Sequence, residues 1–445
     1  MSSNDFDIII VGAGVAGLGA ACELAKAGVR LALIEARDRI GGRVYTQRDK
    51  SSPVPIELGA AFIHGKPPGL MAVAETASLL FCDVTERHWY FPDGKLSKSA
   101  DFWHTLNQLM SQMKISEPDR SFRDFLTSLP NDSETARAKE VAATFVQGFH
   151  AARTERIGVH GLIKANEAED ELESHKSFRI LNGYSAIPEA LLNEAQQHHL
   201  GVHLNTVVRQ IHWSRDRVEV ICANNGEVSK LSSHAAVVTL PLGVLQASPD
   251  TAGAVQFVPE LPVQKLNAIR ELQMGHVINL SLRFQKRFWE DLKVQGVRES
   301  LEDLGFLHNP ETPIPTWWTM LPVRAPVIVG WVGGPDAEAL VQHGESFVIK
   351  QGMASLSRIF HLSESYLESQ LIAAYLHNWT ADLYSRGGYA YIPVNGLASQ
   401  RALAEPVDDT LFFAGEATCL GHIGTVHGAL MSGQRAAREV LKKIH

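Results

Sequence analysis

Three glycines near the start of the chain have the spacing of a phosphate-binding loop. Gly12, Gly14 and Gly17 form G-x-G-x-x-G between the apolar run FDIIIV (residues 6–11) and a segment with helical periodicity. In such a loop the first glycine permits a tight turn, the second lets the backbone approach a pyrophosphate, and the third lets the helix pack closely on the strand. The free N–H groups and the dipole at the start of the helix then favour an anion.

An acidic residue ends the next apolar run. Glu35 closes VRLALIEA (residues 29–36), and Gly28 before this run is the expected cap of the preceding helix. A carboxylate in this position accepts hydrogen bonds from ribose hydroxyls and repels the additional phosphate of NADP. The first forty residues therefore predict a βαβ unit that binds a dinucleotide, and they do not decide between NAD and FAD.

A second glycine pair follows this acid. Gly41, Gly42 and Arg43 provide another close approach of backbone to a phosphate, with a fixed cation beside it. With these residues the chain resembles the FAD-dependent amine oxidase family, which includes monoamine oxidases, polyamine oxidases and lysine-specific histone demethylases. The resemblance continues, in the same order, through ELGAAFIHG (57–65), LNTVVRQI (204–211), VVTLPLGVL (237–245), HNWTADLYSRGGYAYIPVNG (377–396) and FFAGEATCLGHIGTVHGALMSGQRAA (412–437).

The motifs and the resemblance together imply FAD as the cofactor. The residues implied to hold it are Gly12, Gly14, Val15, Ala16, Gly17, Glu35, Ala36, Arg37, Gly41, Gly42, Arg43, Gly59, Ala60, Ala61, Phe62, Val208, Thr239, Pro241, Trp379, Gly415, Glu416, Gly424, Thr425 and Val426. Monoamine oxidases carry a cysteine that bonds to the flavin before the tyrosine that resembles Tyr389, whereas this chain has Gly388. We therefore expect FAD to be held non-covalently, and we expect no metal.

The resemblance implies oxidation of an amine. A neutral amine would transfer hydride to the flavin, and the resulting imine would be hydrolysed to an aldehyde or ketone plus a smaller amine. At His64 the sequence resembles polyamine oxidases, and this imidazole could orient the amine or accept its proton. Tyr389 would form an aromatic wall, Trp379 would cover the flavin, and Thr425 stands where monoamine oxidases have a second tyrosine. A polyamine-type substrate is favoured.

Asn279 leaves the electron acceptor open. The family usually has a lysine here that assists the reaction of reduced flavin with oxygen, and an asparagine cannot supply a cation. Oxygen, yielding hydrogen peroxide, is the expected acceptor, and a dehydrogenase that uses another acceptor is the alternative. An L-amino-acid oxidase is a further alternative, for which Arg386 is the candidate to clamp a carboxylate. The remaining alternative is that the protein is a flavin-binding scaffold without enzymatic activity.

The composition excludes several other classes of protein. The 445 residues are 45% hydrophobic and 20% charged, which is typical of a globular protein. The net charge of −8 argues against nucleic acid as a partner. Cys22, Cys82, Cys222 and Cys419 are far apart, so no disulfide framework is indicated. The apolar stretch 6–24 has no basic region before it, which argues against a signal peptide. We expect a cytoplasmic protein without a membrane anchor, and the sequence leaves its oligomeric state open.

Two features outside the motifs bear on the substrate-binding site. The acidic cluster at residues 166–173 could attract a polycation, but such charge runs are more often solvated helix faces, and we interpret it in that way. Trp317 and Trp318 alternate along a predicted strand, so one is expected to face a cavity and the other the core.

The elements that must position these residues alternate between strands and helices. We predict an α/β fold in which a Rossmann-like FAD-binding domain is interleaved with an α+β substrate-binding domain, as in the amine oxidase and p-hydroxybenzoate hydroxylase architecture. The FAD-binding domain takes residues 1–85, 196–280 and 396–445. The substrate domain takes residues 86–195, mostly helical, and 281–395. Residues 277–284 are a predicted strand, and Asn-Gly within ANNGE (223–227) predicts a hairpin.

Overall fold

A parallel sheet carries the amino-terminal motif. The computed structural model describes residues 6–85, 87–91, 97–98, 101–173, 176–224, 226–292 and 300–444. Among these residues, five parallel strands lie in the order β10 (Leu200–His203), β2 (Leu31–Ile34), β1 (Ile8–Val11), β14 (Ala235–Val238) and β23 (Leu411–Phe413). The apolar composition of β1, β2, β14 and β23 suits burial on both faces, and every residue of these four strands is buried.

Helices cover one face of this sheet. They are α1 (Val15–Lys26), α2 (Pro68–Thr76), α7 (Ala186–Ala195) and α14 (Val426–Ile444). Small residues let α1 and α14 approach closely, because a Cβ on Gly433 would lie 2.0 Å from the carbonyl oxygen of Ala16. This contact brings the carboxyl-terminal motif against the amino-terminal one.

A second sheet packs on the other face. Its strands lie in the order β13 (Glu227–Ser233), β12 (Arg217–Asn224), β11 (Val207–Ser214) and β15 (Gln256–Val258). Ile211, Val218 and Val220 pack there with Ile9 and Ile34 of the parallel sheet. The antiparallel pairing of β12 with β13 confirms the predicted hairpin; Asn225 at its turn lies outside the described residues.

A third sheet forms the wall opposite the motifs. In the described chain it contains, in order, β21 (Leu371–Leu376), β17 (Val277–Phe284), β20 (Val327–Gly333), β19 (Thr316–Thr319), β18 (Phe306–His308), β7 (His88–Tyr90) and β8 (Ser97–Lys98). β7 pairs with β18 in parallel, and the other neighbours are antiparallel. Residues 277–284 form the predicted strand from end to end.

Short strands and further helices complete the described chain. The remaining strands pair as β3 (Thr46–Gln47) with β4 (Ile56–Glu57), β9 (Ser177–Ile180) with both β5 (Ile63–His64) and β6 (Phe81–Asp83), and β16 (Gln273–Met274) with β22 (Ala390–Tyr391). The remaining α-helices are α3 (Asp101–Met110), α4 (Phe122–Ser128), α5 (Ser133–Phe149), α6 (Val159–Glu171), α8 (Leu242–Leu245), α9 (Val263–Glu271), α10 (Pro335–Val341), α11 (Glu345–Phe360), α12 (Glu364–Gln370) and α13 (Leu397–Ala404). No helix of the described residues is both long enough and apolar enough to span a bilayer.

Two of the predicted domain boundaries cut continuous structure. The division at 280/281 falls inside β17, all of which belongs to the third sheet. The division at 195/196 assigns α7 to the substrate domain, yet Ile187 and Leu191 of α7 share a core with Leu18 and Leu24 of α1. Periodicity locates elements along the chain but does not reveal which core an amphipathic helix joins.

Candidate active site

One large cavity collects the residues that the sequence singled out. Its volume is about 2400 Å³, and it extends from the carboxyl ends of β1 and β2 to α3, α5 and α6. The predicted cofactor residues that line it are Gly12, Gly14, Val15, Ala16, Glu35, Ala36, Arg37, Gly41, Gly42, Arg43, Gly59, Ala60, Ala61, Phe62, Val208, Thr239, Pro241, Trp379, Gly415, Glu416, Gly424, Thr425 and Val426. The predicted catalytic residues that line it are His64, Asn279, Trp379, Tyr389 and Thr425.

The glycine-rich loop has a packing side and an open side. Gly12 has a φ of +106°, and a Cβ on it would lie 2.6 Å from Oγ1 of Thr239. A Cβ on Gly17 would lie 1.9 Å from the carbonyl oxygen of Gly12, so Gly17 acts through packing and does not line the cavity. A Cβ on Gly14 would meet nothing within 4 Å. Gly14 also precedes the first turn of α1 without a side-chain cap, which leaves the N–H groups of that turn for an anion.

Glu35 ties the end of β2 to this loop. Its Oε2 accepts a hydrogen bond from the N–H of Ala13 at 2.9 Å, and its Oε1 accepts one from the N–H of Arg37 at 3.0 Å. Arg37 in turn donates to Asp382 at 2.5 Å. Since each carboxylate oxygen keeps a second lone pair, Glu35 can still accept a hydrogen bond from a ribose hydroxyl.

A buried carboxylate joins the later motifs to the second glycine pair. Arg43 donates from Nη1 to Oε1 of Glu416 at 2.9 Å and to the carbonyl oxygen of Gly388 at 2.7 Å. The N–H of Gly424 donates to Oε2 of Glu416 at 3.0 Å. The charge of Arg43 is therefore paired within the protein, and the attraction for a pyrophosphate rests chiefly on the N–H groups of α1.

The cavity residues fit a flavin dinucleotide. Bare backbone faces open space at Gly14 and again at Gly415, where a Cβ would meet nothing within 4 Å. Trp379 is 2% exposed, and its indole N–H donates to the carbonyl oxygen of Leu58 at 2.8 Å, which holds the ring beside Gly59. The fit comprises an anion site, a ribose acceptor and a rigid aromatic wall in one cavity.

Asn279 presents a hydrogen-bond acceptor at the position where the resemblance implies a lysine. It is 2% exposed in β17, and its Nδ2 donates to the carbonyl oxygen of Gly59 at 3.2 Å. Its Oδ1 is buried and has no hydrogen-bond partner among the described residues. A buried acceptor without a partner costs about 1–3 kcal/mol. A donor from a bound molecule or water would therefore be held at this point.

The side chains of Tyr389 and Thr425 are both fixed by protein contacts. The hydroxyl of Tyr389 donates to the carbonyl oxygen of Phe149 at 2.6 Å, and burial raises its pKa, so the phenol stays neutral. The hydroxyl of Thr425 donates to the carbonyl oxygen of His422 at 2.8 Å and accepts from the N–H of Gly428 at 2.9 Å. Thr425 therefore caps the start of α14, and its hydroxyl is already engaged.

His64 lies among aromatic rings in the large cavity. The pairing of β5 with β9 sets it opposite Ser177, whose Oγ is 3.4 Å from Nδ1. Its ring centroid lies 6.1 Å from that of Phe62 and 5.7 Å from that of Phe149. These contacts hold the imidazole at the cavity surface.

Two neighbouring strands extend this aromatic wall. The parallel register of β7 with β18 sets Phe306 opposite His88 and His308 opposite Tyr90. The rings of Phe306 and His88 stack with centroids 4.8 Å apart, and those of His308 and Tyr90 with centroids 4.9 Å apart. All four residues line the cavity.

The tryptophan pair alternates as predicted. Trp318 lines the cavity, with its ring centroid 5.3 Å from that of Phe62. Trp317 is fully buried in the core of the third sheet.

Carboxylates line another part of the same cavity. The interpretation of residues 166–173 as a solvated helix face agrees with the exposure of Glu167 and Asp170, and it is wrong for Glu169, which is half-buried. These three carboxylates border the cavity together with Asn166, and Glu167 pairs with Lys164 at 2.6 Å. Glu140 of α5 lines it as well. Burial, with a smaller effect from the charge of Asp170, raises the pKa of Glu169 to about 7. The packing of α6 turned Glu169 inward, which the charge pattern alone could not reveal.

Arg386 lies outside the large cavity. It lines a separate cleft of about 500 Å³ and does not line the large cavity. The L-amino-acid oxidase alternative therefore loses the arginine that was to clamp a carboxylate.

The whole arrangement matches a known family. Residues 15–441 match the family described as flavin containing amine oxidoreductase. The chain belongs to this family. The predicted family, the fold class and the assignment as an enzyme are thereby confirmed, and the family description supports the flavin.

Curated relatives of this chain fall into two groups by name. Lysine-specific histone demethylase 1 homolog 3 from Arabidopsis thaliana is 26% identical over 98% of this chain, which spans 30% of that protein. Polyamine oxidase 5 from Oryza sativa subsp. japonica is 27% identical over 97% of this chain, which spans 87% of that protein. A structure of wild-type putrescine oxidase bound to putrescine has a TM-score of 0.79 at 19% identity and covers 98% of this chain and 99% of that one, which shows a shared fold.

Sequence reasoning missed several cavity residues of this family member. Trp331 lines the cavity and donates from its indole N–H to the carbonyl oxygen of Gly148 at 3.0 Å. Phe149 lines it near the end of α5. The alternation of side chains along a strand would place Phe306 and His308 on one face, but no local pattern indicates that β7 pairs beside them.

Proposed function

We propose that the chain holds FAD non-covalently and oxidises a C–N bond of a polyamine-type substrate, with oxygen as the acceptor and hydrogen peroxide as a product. The observation that carries the substrate preference is the acidic lining formed by Glu140, Glu169 and Asp170, beside which Glu167 pairs with Lys164. A substrate with a second amino group, distant from the one that reacts, would pair its ammonium with these carboxylates.

The residues that would hold FAD are those of the glycine-rich loop, Glu35 and the turn before α14. The proposal of a non-covalent cofactor is supported by the absence of cysteine among the described residues that line the cavity. Gly388, beside Tyr389, has no side chain that could form such a bond.

The protein's part in the reaction is to position the amine and remove its proton. A bound flavin supplies the capacity to accept a hydride from the carbon next to the amine nitrogen. Trp331, Trp318 and Tyr389 line the cavity with apolar ring surfaces, which would exclude water from this carbon. His64 is the group proposed to receive the proton of the incoming ammonium, because a neutral imidazole can accept a proton near pH 7.

The test is anaerobic mixing of the flavin-loaded protein with spermine, spermidine, N-acetylspermine, tyramine and a panel of L-amino acids. We expect the oxidised flavin absorption to bleach fastest with a polyamine. Faster bleaching by tyramine or an amino acid would overturn the substrate class, and no bleaching by any amine would overturn the amine reaction.

A dehydrogenase is the second candidate because Asn279 supplies no cation. Admitting air to the reduced protein separates the two candidates. Rapid recovery of the flavin absorption with peroxide supports the oxidase, whereas persistent reduction supports a dehydrogenase with another acceptor.

A further inference from the structure

A second cleft adjoins β22, whose Tyr391 also lines the large cavity, which is called the amine cavity below after its proposed substrate. Its volume is about 500 Å³, and it lies where β16, β22, the start of α10 and the connection from α5 to α6 meet. The charged side chains that line it are Arg153, Arg156, Arg386 and Glu338. Three cations against one carboxylate stand out in a chain whose net charge is −8.

Two of these arginines keep an unpaired charge. Arg153 forms an ion pair with Glu338. Arg156 donates to the side-chain oxygen of Gln273 at 2.8 Å, and Arg386 donates to the carbonyl oxygen of Ala252 at 2.5 Å. Both acceptors are neutral, and no carboxylate among the described residues pairs with either guanidinium.

Buried donor capacity also remains in this cleft. The Nε of Arg386 is buried and has no acceptor among the described residues. Guanidinium groups offer five N–H donors in a planar fork that matches the oxygens of phosphate and carboxylate. His276, which also lines the cleft, has its pKa lowered mainly by burial and is a neutral donor or acceptor at pH 7.

We propose that this cleft binds a small multivalent anion that carries phosphate or carboxylate groups, held by Arg156 and Arg386. A volume of about 500 Å³ lies within the range of small-molecule sites and accommodates such a ligand. The paired charge of Arg153 and Glu338 leaves a net charge of about +2, which repels a polyamine. The site is therefore separate from the amine cavity in position and opposite to it in charge.

The position of the cleft gives its ligand a route to the amine site. Tyr391 lines both the cleft and the large cavity. Met274 of β16, in the cleft, pairs with Ala390, which follows Tyr389 in the chain. Because the cleft and the large cavity share Tyr391, we propose in addition that the bound anion is an effector, which alters amine binding through β22.

The binding test uses the flavin-loaded protein, because bound FAD occupies the phosphate-binding loop. Isothermal titration with inorganic phosphate and with citrate, at an ionic strength held constant with NaCl, compares wild type with R156Q, R386Q and the double variant. R217Q, which removes an exposed arginine from the distant hairpin, is the matched control. We expect saturable binding that weakens at least tenfold in each single variant and is lost in the double variant, with R217Q unchanged.

Several results would overturn the site. They are heat that does not saturate with either anion, binding that survives in the double variant, and equal weakening in R217Q. If R386Q does not fold, as judged from flavin content and circular dichroism, R156Q alone decides. Phosphate binding without citrate binding identifies a phosphate ligand, and the reverse identifies a polycarboxylate.

The effector role has its own measurement. The KM of the amine is compared with and without saturating anion, in wild type and in R156Q. We expect a change in wild type that R156Q abolishes, and no change in wild type would overturn the effector role. This comparison rests on the proposed amine oxidation, whereas the titration does not, so the two can fail separately.

Discussion

Replacement of Glu169 by glutamine separates a substrate-binding role from a structural one. Glu169 lines the amine cavity, and burial raises its pKa from the ordinary value of 4.5 to about 7. The substitution removes the charge and keeps the shape. It should weaken binding of a polycation and, at alkaline pH, stabilise the fold.

The expected loss of binding follows from one charge-assisted contact. Hydrogen bonds to a charged group contribute about 1.5–3 kcal/mol, which partial exposure of Glu169 reduces to about 1–2 kcal/mol. The KM for spermine should therefore rise about 5- to 30-fold in E169Q at pH 8.5, with a smaller change in kcat. Below pH 7 the wild-type carboxyl is protonated, so the two proteins should converge.

The expected gain of stability follows from the direction of the pKa shift. A carboxyl whose pKa is raised in the folded state binds its proton more tightly there, so the wild type loses stability as the pH rises from about 4.5 to about 7. Glutamine has no such loss. A change of the pKa from 4.5 to about 7 corresponds to roughly 3 kcal/mol, which the partial exposure of Glu169 reduces to about 2 kcal/mol. E169Q should therefore be more stable than wild type by about 2 kcal/mol at pH 8.5 and nearly equal to it at pH 4.5.

The assays are steady-state kinetics and thermal unfolding at both pH values. Glu173→Gln is the matched control, because Glu173 lies outside the cavity and pairs with Lys176. An unchanged KM in E169Q would refute the binding role, and a loss of stability at pH 8.5 would refute the argument from burial.

The remaining predictions pair a substitution with its control. Gly17→Ala should lower the folding yield, because its Cβ would lie 1.9 Å from a carbonyl oxygen, whereas Gly14→Ala should fold normally and raise the Kd for FAD about tenfold. Unfolding of the apoprotein measures the first effect and FAD titration the second. Equal behaviour of the two variants would contradict the packing argument. Trp317→Ala should destabilise the fold by about 3–5 kcal/mol, whereas Trp318→Ala should act mainly on the amine KM; thermal unfolding and kinetics distinguish them, and a reversed pattern would contradict their placement. Asn279→Lys should speed reoxidation of the reduced flavin at least tenfold, because a cation stabilises charge developing on oxygen. Stopped-flow mixing with air measures the reoxidation rate, and Asn279→Met is the neutral control. Equal rates in the two variants would refute the role of the charge.

Short-range patterns predicted the elements around the cofactor site well. The glycine spacing of the amino-terminal loop depends on a close backbone contact between Gly12 and Gly17. Because these residues are only five positions apart, the need for glycine can be recognised from a short stretch of sequence. The strand at residues 277–284 is apolar along most of its length, and its limits matched. The family could be identified from motif blocks for the same reason, since each block meets a local backbone or cofactor requirement.

Contacts between distant segments had no such local signal. The ion pair of Arg43 with Glu416, the parallel pairing that stacks His88 on Phe306, and the inward turn of Glu169 all depend on how sheets and helices pack. Arg386 illustrates the limit most directly, because its motif block borders the flavin site while its side chain lines a different cleft. Residue order along the chain established the chemistry of the cofactor side, because that chemistry needs particular backbone conformations. The charge of the substrate cavity and the existence of the arginine cleft arose only from packing, because side chains from separate segments create them jointly.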